Sequence, residues 1–499
     1  MAESPAPLPE PDAVRAERDP SLLQALTPLL FLAVLLAAAV MLFGEDSSYG
    51  PNQVALMLAT MVAALVGLRN GIAWSDIQDG MVHGISLAIV PVFILLAVGA
   101  LIGTWMMAGT VPTLIVYGLQ LMHPAYFYPA TCLVCAIVAL SIGSSWTVAG
   151  TLGVALIGVA QGLDMSPAIT AGAVISGAYF GDKISPLSDT TNLAPAAAGS
   201  ELFEHIRHML WTTVPALVLA LIGFTILGLR GGASGGDGAA FGDLPAQLAA
   251  QFAIGPHLLI PMLVVVVLAA RKFPAYPTIL VGALTGLVVA LLFQPGAVVA
   301  LGAGEGRSPA MAMLAGGWQA MFSGYSVETG NAAVDDLLSR GGMASMLETI
   351  WLILCALGFG AVMERTRLLE RLIRSLLHLV RSTGSLIGTT LATGIGTNII
   401  AADQYMAIVL PGRLFRKEYA RRGLAPVNLS RALEDGATMT SPLIPWNTCG
   451  AYMAATLGVA TLDYLPYALL NLLSPLVALT MAYAGFKVLR LPGASRANA

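Results

Sequence analysis

Charge is what this sequence has least of. Asp, Glu, Lys and Arg make up 10% of its 499 residues against 57% hydrophobic, and the mean hydropathy is +0.79. Soluble domains carry roughly a quarter charged residues, so the composition excludes a soluble globular fold. The formal net charge of -4 is spread over short loops and gives no basic face for nucleic acid. Cysteine is equally sparse: Cys132, Cys135, Cys355 and Cys449 all lie in apolar runs. Cys132 and Cys135 form a Cys-x-x-Cys, but with no second pair and no nearby His they read as small apolar side chains one helical turn apart rather than as a redox or metal pair. The six histidines are read as interfacial or packed side chains. A basic start followed by an apolar core is also missing from the N-terminus, so residues 1–21 read as a disordered polar tail and not as a signal peptide.

What the chain has in abundance is apolar runs long enough to span a bilayer, which takes about 20 residues each. They fall at Ala25 to Phe43, Gln53 to Leu68, Gly84 to Met107, His208 to Leu229, Pro256 to Ala270, Thr278 to Phe293, Leu347 to Val362 and Tyr464 to Phe486. Thr110 to Met122 is shorter and is expected at the interface, as is the amphipathic Arg365 to Val380. Two further runs are interrupted by polar residues: Tyr126 to Ala160 at Ser141 to Thr147, and Gly384 to Arg413 at Gly394 to Asn398 and Asp403. Their arms look too short to span, so each is expected to be a re-entrant hairpin with a polar tip lining a cavity. Two more runs are stopped by proline, at Ser185-Pro186 and at Ser441-Pro-Leu-Ile-Pro445, and read as broken helices.

These features recur in order. Ile142-Gly-Ser-Ser145 matches Ile395-Gly-Thr-Asn398 and Ser185-Pro-Leu187 matches Ser441-Pro-Leu443, with separations of 43 (142 to 185) and 46 (395 to 441) residues. Arginines and lysines flank the second hairpin and are absent beside the first, which by the positive-inside rule puts the two in opposite orientation. The fold class expected is therefore an all-α polytopic membrane protein of two inverted repeats, each of five spans plus a re-entrant hairpin and a broken helix. The expected units are the tail 1–21, a first repeat 22–230, a Gly-rich external linker 231–255, a second repeat 256–491 and a tail 492–499, with both termini cytoplasmic. Arg69, Arg207, Arg271, Lys272, Lys487 and Arg490 then fall inside, and Glu45, Asp46, Asp237, Asp243, Glu328, Asp335 and Asp336 outside.

The chemistry concentrates in Gly181-Asp-Lys-Ile-Ser-Pro-Leu-Ser-Asp-Thr-Thr-Asn192. Ionisable groups at membrane depth are costly and default to function. A broken helix offers freed carbonyls to cations and freed N-H groups to anions. Asp182, Ser185, Ser188, Asp189, Thr190, Thr191 and Asn192 supply hard oxygens suited to Na+, and a carboxylate in a low-dielectric cavity can exchange a proton for that cation. Asp189 is read either as the Na+ and proton site or as a structural acceptor of the freed N-H groups. Asp182 is read either as an ion site or as half of an ion pair. Lys183 is a counter-ion or a snorkelling side chain. Asp403 joins the ion-binding set. Ser144, Ser145, Thr147, Thr397 and Asn398 at the hairpin tips, with Ser441, Asn447 and Thr448 at the second break, are candidate substrate contacts or caps. Of Glu434 and Asp435, about 100° apart on a helix, one is expected to face the cavity and the other to meet Arg431 or Arg413.

The stretch Phe180 to Ala194 resembles the NhaC family of Na+/H+ antiporters. So do Asp403-Gln-Tyr405, Leu410-Pro-Gly-Arg413, Arg422-Gly-Leu-Ala-Pro426, Leu433-Glu-Asp435 and Thr440-Ser-Pro-Leu-Ile-Pro-Trp-Asn-Thr-Cys-Gly-Ala-Tyr-Met453. The resemblance covers about Leu22 to Leu491. It implies a carrier of the bacterial inner membrane, with Na+ and H+ as transported ions and no resident cofactor. Relatives in that family also exchange malate with Na+-lactate or move amino acids, so the expected partners are Na+, H+, a small carboxylate or an amino acid, and the lipid bilayer, with a homodimer as the assembly. An intramembrane aspartyl protease also needs buried aspartates, but Tyr179-Phe-Gly-Asp182 lacks the first glycine of Gly-x-Gly-Asp, and a channel would not need coupling. No enzyme activity is expected.

Overall fold

Long apolar stretches without water partners leave the backbone one solution, to bond within itself, and the described chain is predominantly helical. The computed structural model describes residues 18–43, 50–231, 244–327, 335, 338–339, 341–378 and 380–491. The expected N-terminal tail up to residue 17, the loop acids Glu45, Asp46, Asp237, Asp243, Glu328 and Asp336, the glycine-rich part of the linker and the tail 492–499 lie outside the described residues. Among the described residues, eight helices are long and apolar enough to cross a membrane, or up to ten when two pairs bent at a short break each count as one span. Large apolar side chains such as Leu30, Val34, Ile137, Val218 and Leu292 stay exposed on the outer faces, as suits lipid contact. The protein is an all-α, multi-pass membrane protein.

Two hairpins and two broken helices carry the site. The first hairpin pairs Pro124–Ile142 with Ser145–Gly162, arms of 19 and 18 residues. At about 1.5 Å per residue each arm reaches nearly 30 Å, so the expectation of arms too short to span is corrected. Its tip is Gly143, with φ 74°, followed by Ser144, whose side chain caps the second arm by accepting from the Thr147 N-H. The second hairpin pairs Thr383–Ala401 with Gln404–Arg421. Here the sequence misled: Gly394 to Asn398 is uninterrupted helix, and the tip is Ala402, at φ 56°, followed by the cap Asp403. Neither Gly394 nor Gly396 forces a break, because the i to i-4 ladder tolerates both.

The first broken helix runs Pro167–Ile184, stops, and restarts as Asp189–Ala198. Pro186 lacks an N-H and excludes helical geometry from the residue before it, and Ser185 is extended at φ -79°, ψ 127°. Ser188 then caps the new helix. The second broken helix passes from Pro426–Leu433 through a π turn at Glu434–Thr438, stops before Pro445 with Ile444 extended, and restarts as Thr448–Leu457 capped by Asn447. Tip cap to break cap is 44 residues in both halves, from 144 to 188 and from 403 to 447. The register is therefore tighter than the sequence matches indicated.

Hairpin and broken helix pack at backbone distance. Gly177 sits against the Cys132 carbonyl where a Cβ could not fit, and Cys132 and Cys135 are buried, free thiols in that seam. Elsewhere the structure adds helix to regions read as loop or span. The third apolar run begins earlier, as a bent Trp74–Met107. Between the expected spans ending at Phe293 and starting at Leu347 lie Pro295–Leu301 and Pro309–Phe322, and Leu244–Gln251 lies in the linker. Thr110–Leu121 is not an interfacial helix: Thr110, Thr113 and Ile115 are wholly buried.

Candidate functional site

The four caps converge. A cavity of about 520 Å³ is bounded by the beginnings of four helices, at Ser144, Ser188, Asp403 and Thr448, and extends to the loop at Lys272 to Ala275. Helix starts present unpaired N-H groups, so the wall is polar wherever the chain restarts. Direct bonds hold the four together. The Thr448 N-H donates to the Ala402 carbonyl at 2.9 Å. The Tyr452 hydroxyl donates to the Trp146 carbonyl at 2.8 Å while the two rings stack at 4.0 Å.

Three aspartates reach this cavity, and they differ. Asp182, in the last turn of the first arm, is 8% exposed and accepts from the Ser145 hydroxyl at 2.6 Å across the hairpin seam. Asp403 is 5% exposed; its Oδ1 accepts from the Met406 N-H at 2.8 Å as an N-cap. Asp189 is the first residue of the new helix, exposed in the cavity, and accepts from the Tyr405 hydroxyl at 3.0 Å. Ser188 and Thr190 share a hydroxyl bond at 3.1 Å beside them, and Ser144 accepts from Thr147 at 3.0 Å. Among the described residues no three His, Cys, Asp or Glu side chains form one metal-binding group. A cation held here would therefore take one carboxylate with hydroxyl and carbonyl oxygens, a set suited to a hard ion.

The remaining expected contacts lie elsewhere. Thr191 donates to the Asp182 and Lys183 carbonyls at 3.0 and 2.8 Å, Asn192 to the Pro186 and Ser188 carbonyls, and Ser185 to the Leu140 carbonyl. Thr191 and Asn192 satisfy carbonyls at the break and Ser185 one at the end of the hairpin arm Pro124–Ile142, and all three are absent from the cavity wall. Asn398 donates to the Ala437 carbonyl and the Thr440 hydroxyl, Asn447 donates to Asn398, and Ser441 donates to the Thr438 carbonyl. Thr397 is buried within its helix without a hydrogen-bond partner for its hydroxyl among the described residues. Helix continuity through 394–398 is what removes Thr397 and Asn398 from the tip.

Lys183 neither snorkels nor pairs with Asp182. It is fully buried and forms an ion pair with Asp435, and the Ser474 and Thr212 hydroxyls donate to the same carboxylate oxygen at 2.8 and 3.2 Å. Neither Glu434 nor Asp435 lines the cavity, and neither is ion-paired with an arginine among the described residues; Arg413 is exposed on its helix. Consecutive residues on a tight π turn both fit inside because Lys183 arrives from the other half, which local spacing cannot disclose.

Sequence reasoning missed several wall residues. Tyr405 and Gln404 sit in the Asp403-Gln-Tyr405 match, and Cys449 follows Thr448, so position alone pointed to them. Trp146, Tyr276 and Lys272 carried no signal beyond lying near turns.

A multi-span helical protein in which broken helices meet hairpin tips around a polar cavity has the architecture of a secondary carrier. The comparisons with known proteins make this specific. The chain belongs to the Na+/H+ antiporter family, whose sequence model matches residues 177–486. It is 42% identical to the Na(+)/H(+) antiporter NhaC of Alkalihalophilus pseudofirmus, over 87% of this chain and 90% of that protein. The Malate-2H(+)/Na(+)-lactate antiporter of Bacillus subtilis is 37% identical, over 94% and 96% of the two chains. The arginine/ornithine antiporter ArcD of Halobacterium salinarum is 36% identical, over 95% and 94%. The protein is thus a transporter and not an enzyme.

Proposed function

We propose that this protein exchanges Na+ for H+ across the bacterial inner membrane, with the two ions competing for carboxylates of the cavity wall. The supporting observation is Asp182: nearly buried, on the wall, and bonded to Ser145 of the hairpin that closes the break. A charge so placed is stabilised by a hydroxyl and by either a cation or a proton, but not by both at once. Asp189 and Asp403 add charge around the same cavity, Asp189 as its exposed wall and Asp403 also as a helix cap. The two halves are read as inverted repeats. By the positive-inside rule the Arg271-Lys272 loop lies in the cytoplasm, and the cavity reaching that loop represents the inward-open state. In proteoliposomes holding a pH-sensitive dye, a Na+ gradient is expected to drive proton movement in the opposite sense; no Na+-dependent proton movement in any buffer tests against the proposal.

A second reading is favoured by cavity size. A volume of about 520 Å³ exceeds the needs of one cation and lies in the range of small-molecule sites, and the four helix starts offer partial positive charge to an anion. A small carboxylate or amino acid exchanged together with Na+ or H+ fits it, as the names of two relatives suggest. Trans-stimulation by malate, lactate, arginine or ornithine would select this reading, and Na+-driven proton movement indifferent to all four would select the first.

A further inference from the structure

Behind the cavity lies a second polar group of side chains that the exchange just described does not use. Glu434 is completely buried, and neither carboxylate oxygen has a hydrogen-bond partner among the described residues; Thr438, one turn on, faces it without reaching bonding geometry. The second oxygen of Asp435 is likewise unpartnered, as are both ring nitrogens of His205, Nε2 of His208 and Nη2 of Arg431. Buried polar atoms are normally paired, and here both oxygens of one fully buried carboxylate are not. His205 interacts electrostatically with Lys183 and His208, and His208 in turn with Asp435, Arg431 and Lys487. Arg431 donates to the Lys487 carbonyl at 3.3 Å, near the end of the described chain.

We infer that Glu434 is a second proton-binding site, separate from the cavity aspartates. The charge arrangement supports it. The Lys183 ammonium is spoken for by Asp435, and the elements around Glu434 supply little else. Helix Thr383–Ala401 has no ionisable residue, Gln404–Arg421 turns Arg413, Arg416 and Lys417 outwards and buries Tyr419 against Thr390, and Leu469–Tyr483 has only the exposed Tyr483. Asp189–Ala198 contributes Asp189, in the cavity, and Pro426–Leu433 contributes Arg431, which donates to the Lys487 carbonyl. A carboxylate in such surroundings is accommodated as the neutral acid. Glu434 also interacts electrostatically with Asp182, without a hydrogen bond to it. A cation arriving at Asp182 therefore favours release of the Glu434 proton, and by reciprocity the proton disfavours the cation.

This inference rests on the cation site proposed above, and its test separates the two. Purified Glu434→Gln and Glu434→Asp proteins are compared with the unaltered chain for 22Na+ binding and for protons moved per Na+ in proteoliposomes. Glu434→Gln, fixed in the neutral form, is expected to bind Na+ with the weaker affinity that the unaltered chain shows at low pH, while losing about one proton per cycle and the matching part of its pH dependence; Glu434→Asp restores all three. An unchanged proton count and pH profile in Glu434→Gln overturns the inference, as does loss of Na+ binding that Glu434→Asp does not rescue. Absence of Na+-coupled proton movement in the unaltered chain would instead sink the antiport reading.

Discussion

The Ser145 hydroxyl donates to Oδ2 of Asp182 at 2.6 Å, joining the first hairpin to the first broken helix at the cavity wall. Asp182 lies at the C-terminal end of its helix arm, where freed carbonyls add negative potential, so this donor is a main source of stabilisation for its charge. Ser145→Ala is expected to weaken apparent Na+ affinity about tenfold, in line with a hydrogen bond to a charged group, while Ser145→Thr keeps most of it. Concentration dependence of 22Na+ uptake measures both; equal affinities for all three proteins contradict the role.

Tyr405 links the second hairpin to Asp189 with a 3.0 Å bond, but Asp189 is exposed and water can replace the donor. Tyr405→Phe is therefore expected to cost about two- to tenfold in Na+ affinity at most, with the melting temperature in detergent unchanged. A complete loss of transport would place Asp189, not Asp182, at the centre of the site.

The Lys183 to Asp435 ion pair crosses between the two halves without exposure to solvent. Breaking a buried pair strands one charge, at a cost of about 3–5 kcal/mol, whereas replacing both charges with apolar groups costs far less. Lys183→Met alone is expected to lower the melting temperature in detergent markedly, and Asp435→Leu combined with it to recover much of the loss. Additive effects in this double-mutant cycle would show that the pair contributes no coupling.

Gly143 turns the first hairpin with φ 74°, and a Cβ there would lie 2.6 Å from the Leu187 Cβ and 3.0 Å from the Ser188 nitrogen. Gly143→Ala combines left-handed strain with a clash against the break, together about 1–3 kcal/mol. Reduced yield and transport are expected, and unaltered behaviour in both would mean that the tip is not tightly held.

Much of this arrangement was legible in the sequence because proline and caps act locally. Pro195, Pro215 and Pro411 sit inside continuous helices, but Pro186 and Pro445 each have a cap two residues on, Ser188 and Asn447, so both breaks could be placed within a few residues. The second tip was not legible. The Gly-Thr-Asn of 396–398 looks like the Gly-Ser-Ser of 143–145, yet the first stays helical while Ala402, a residue with no turn preference, takes the left-handed conformation. Helix continuation there is decided by packing against the π turn of the second broken helix, which no local pattern records. Similarly, nothing near Lys183 points to Asp435, 252 residues away. The sequence favoured Asp189 over Asp182 because it lies within the break, and only the direction of each side chain shows Asp182 buried at the hairpin seam and Asp189 exposed.

The central claim is that Asp182 carries the exchanged ion, and Na+-driven proton flux of Asp182→Asn in proteoliposomes tests it most directly. With the protein folded and monodisperse, the account predicts at least about a tenfold fall in flux, as expected when an obligatory charged ligand is removed, together with loss of the pH dependence of Na+ binding. Flux and pH dependence equal to those of the unaltered chain would contradict it.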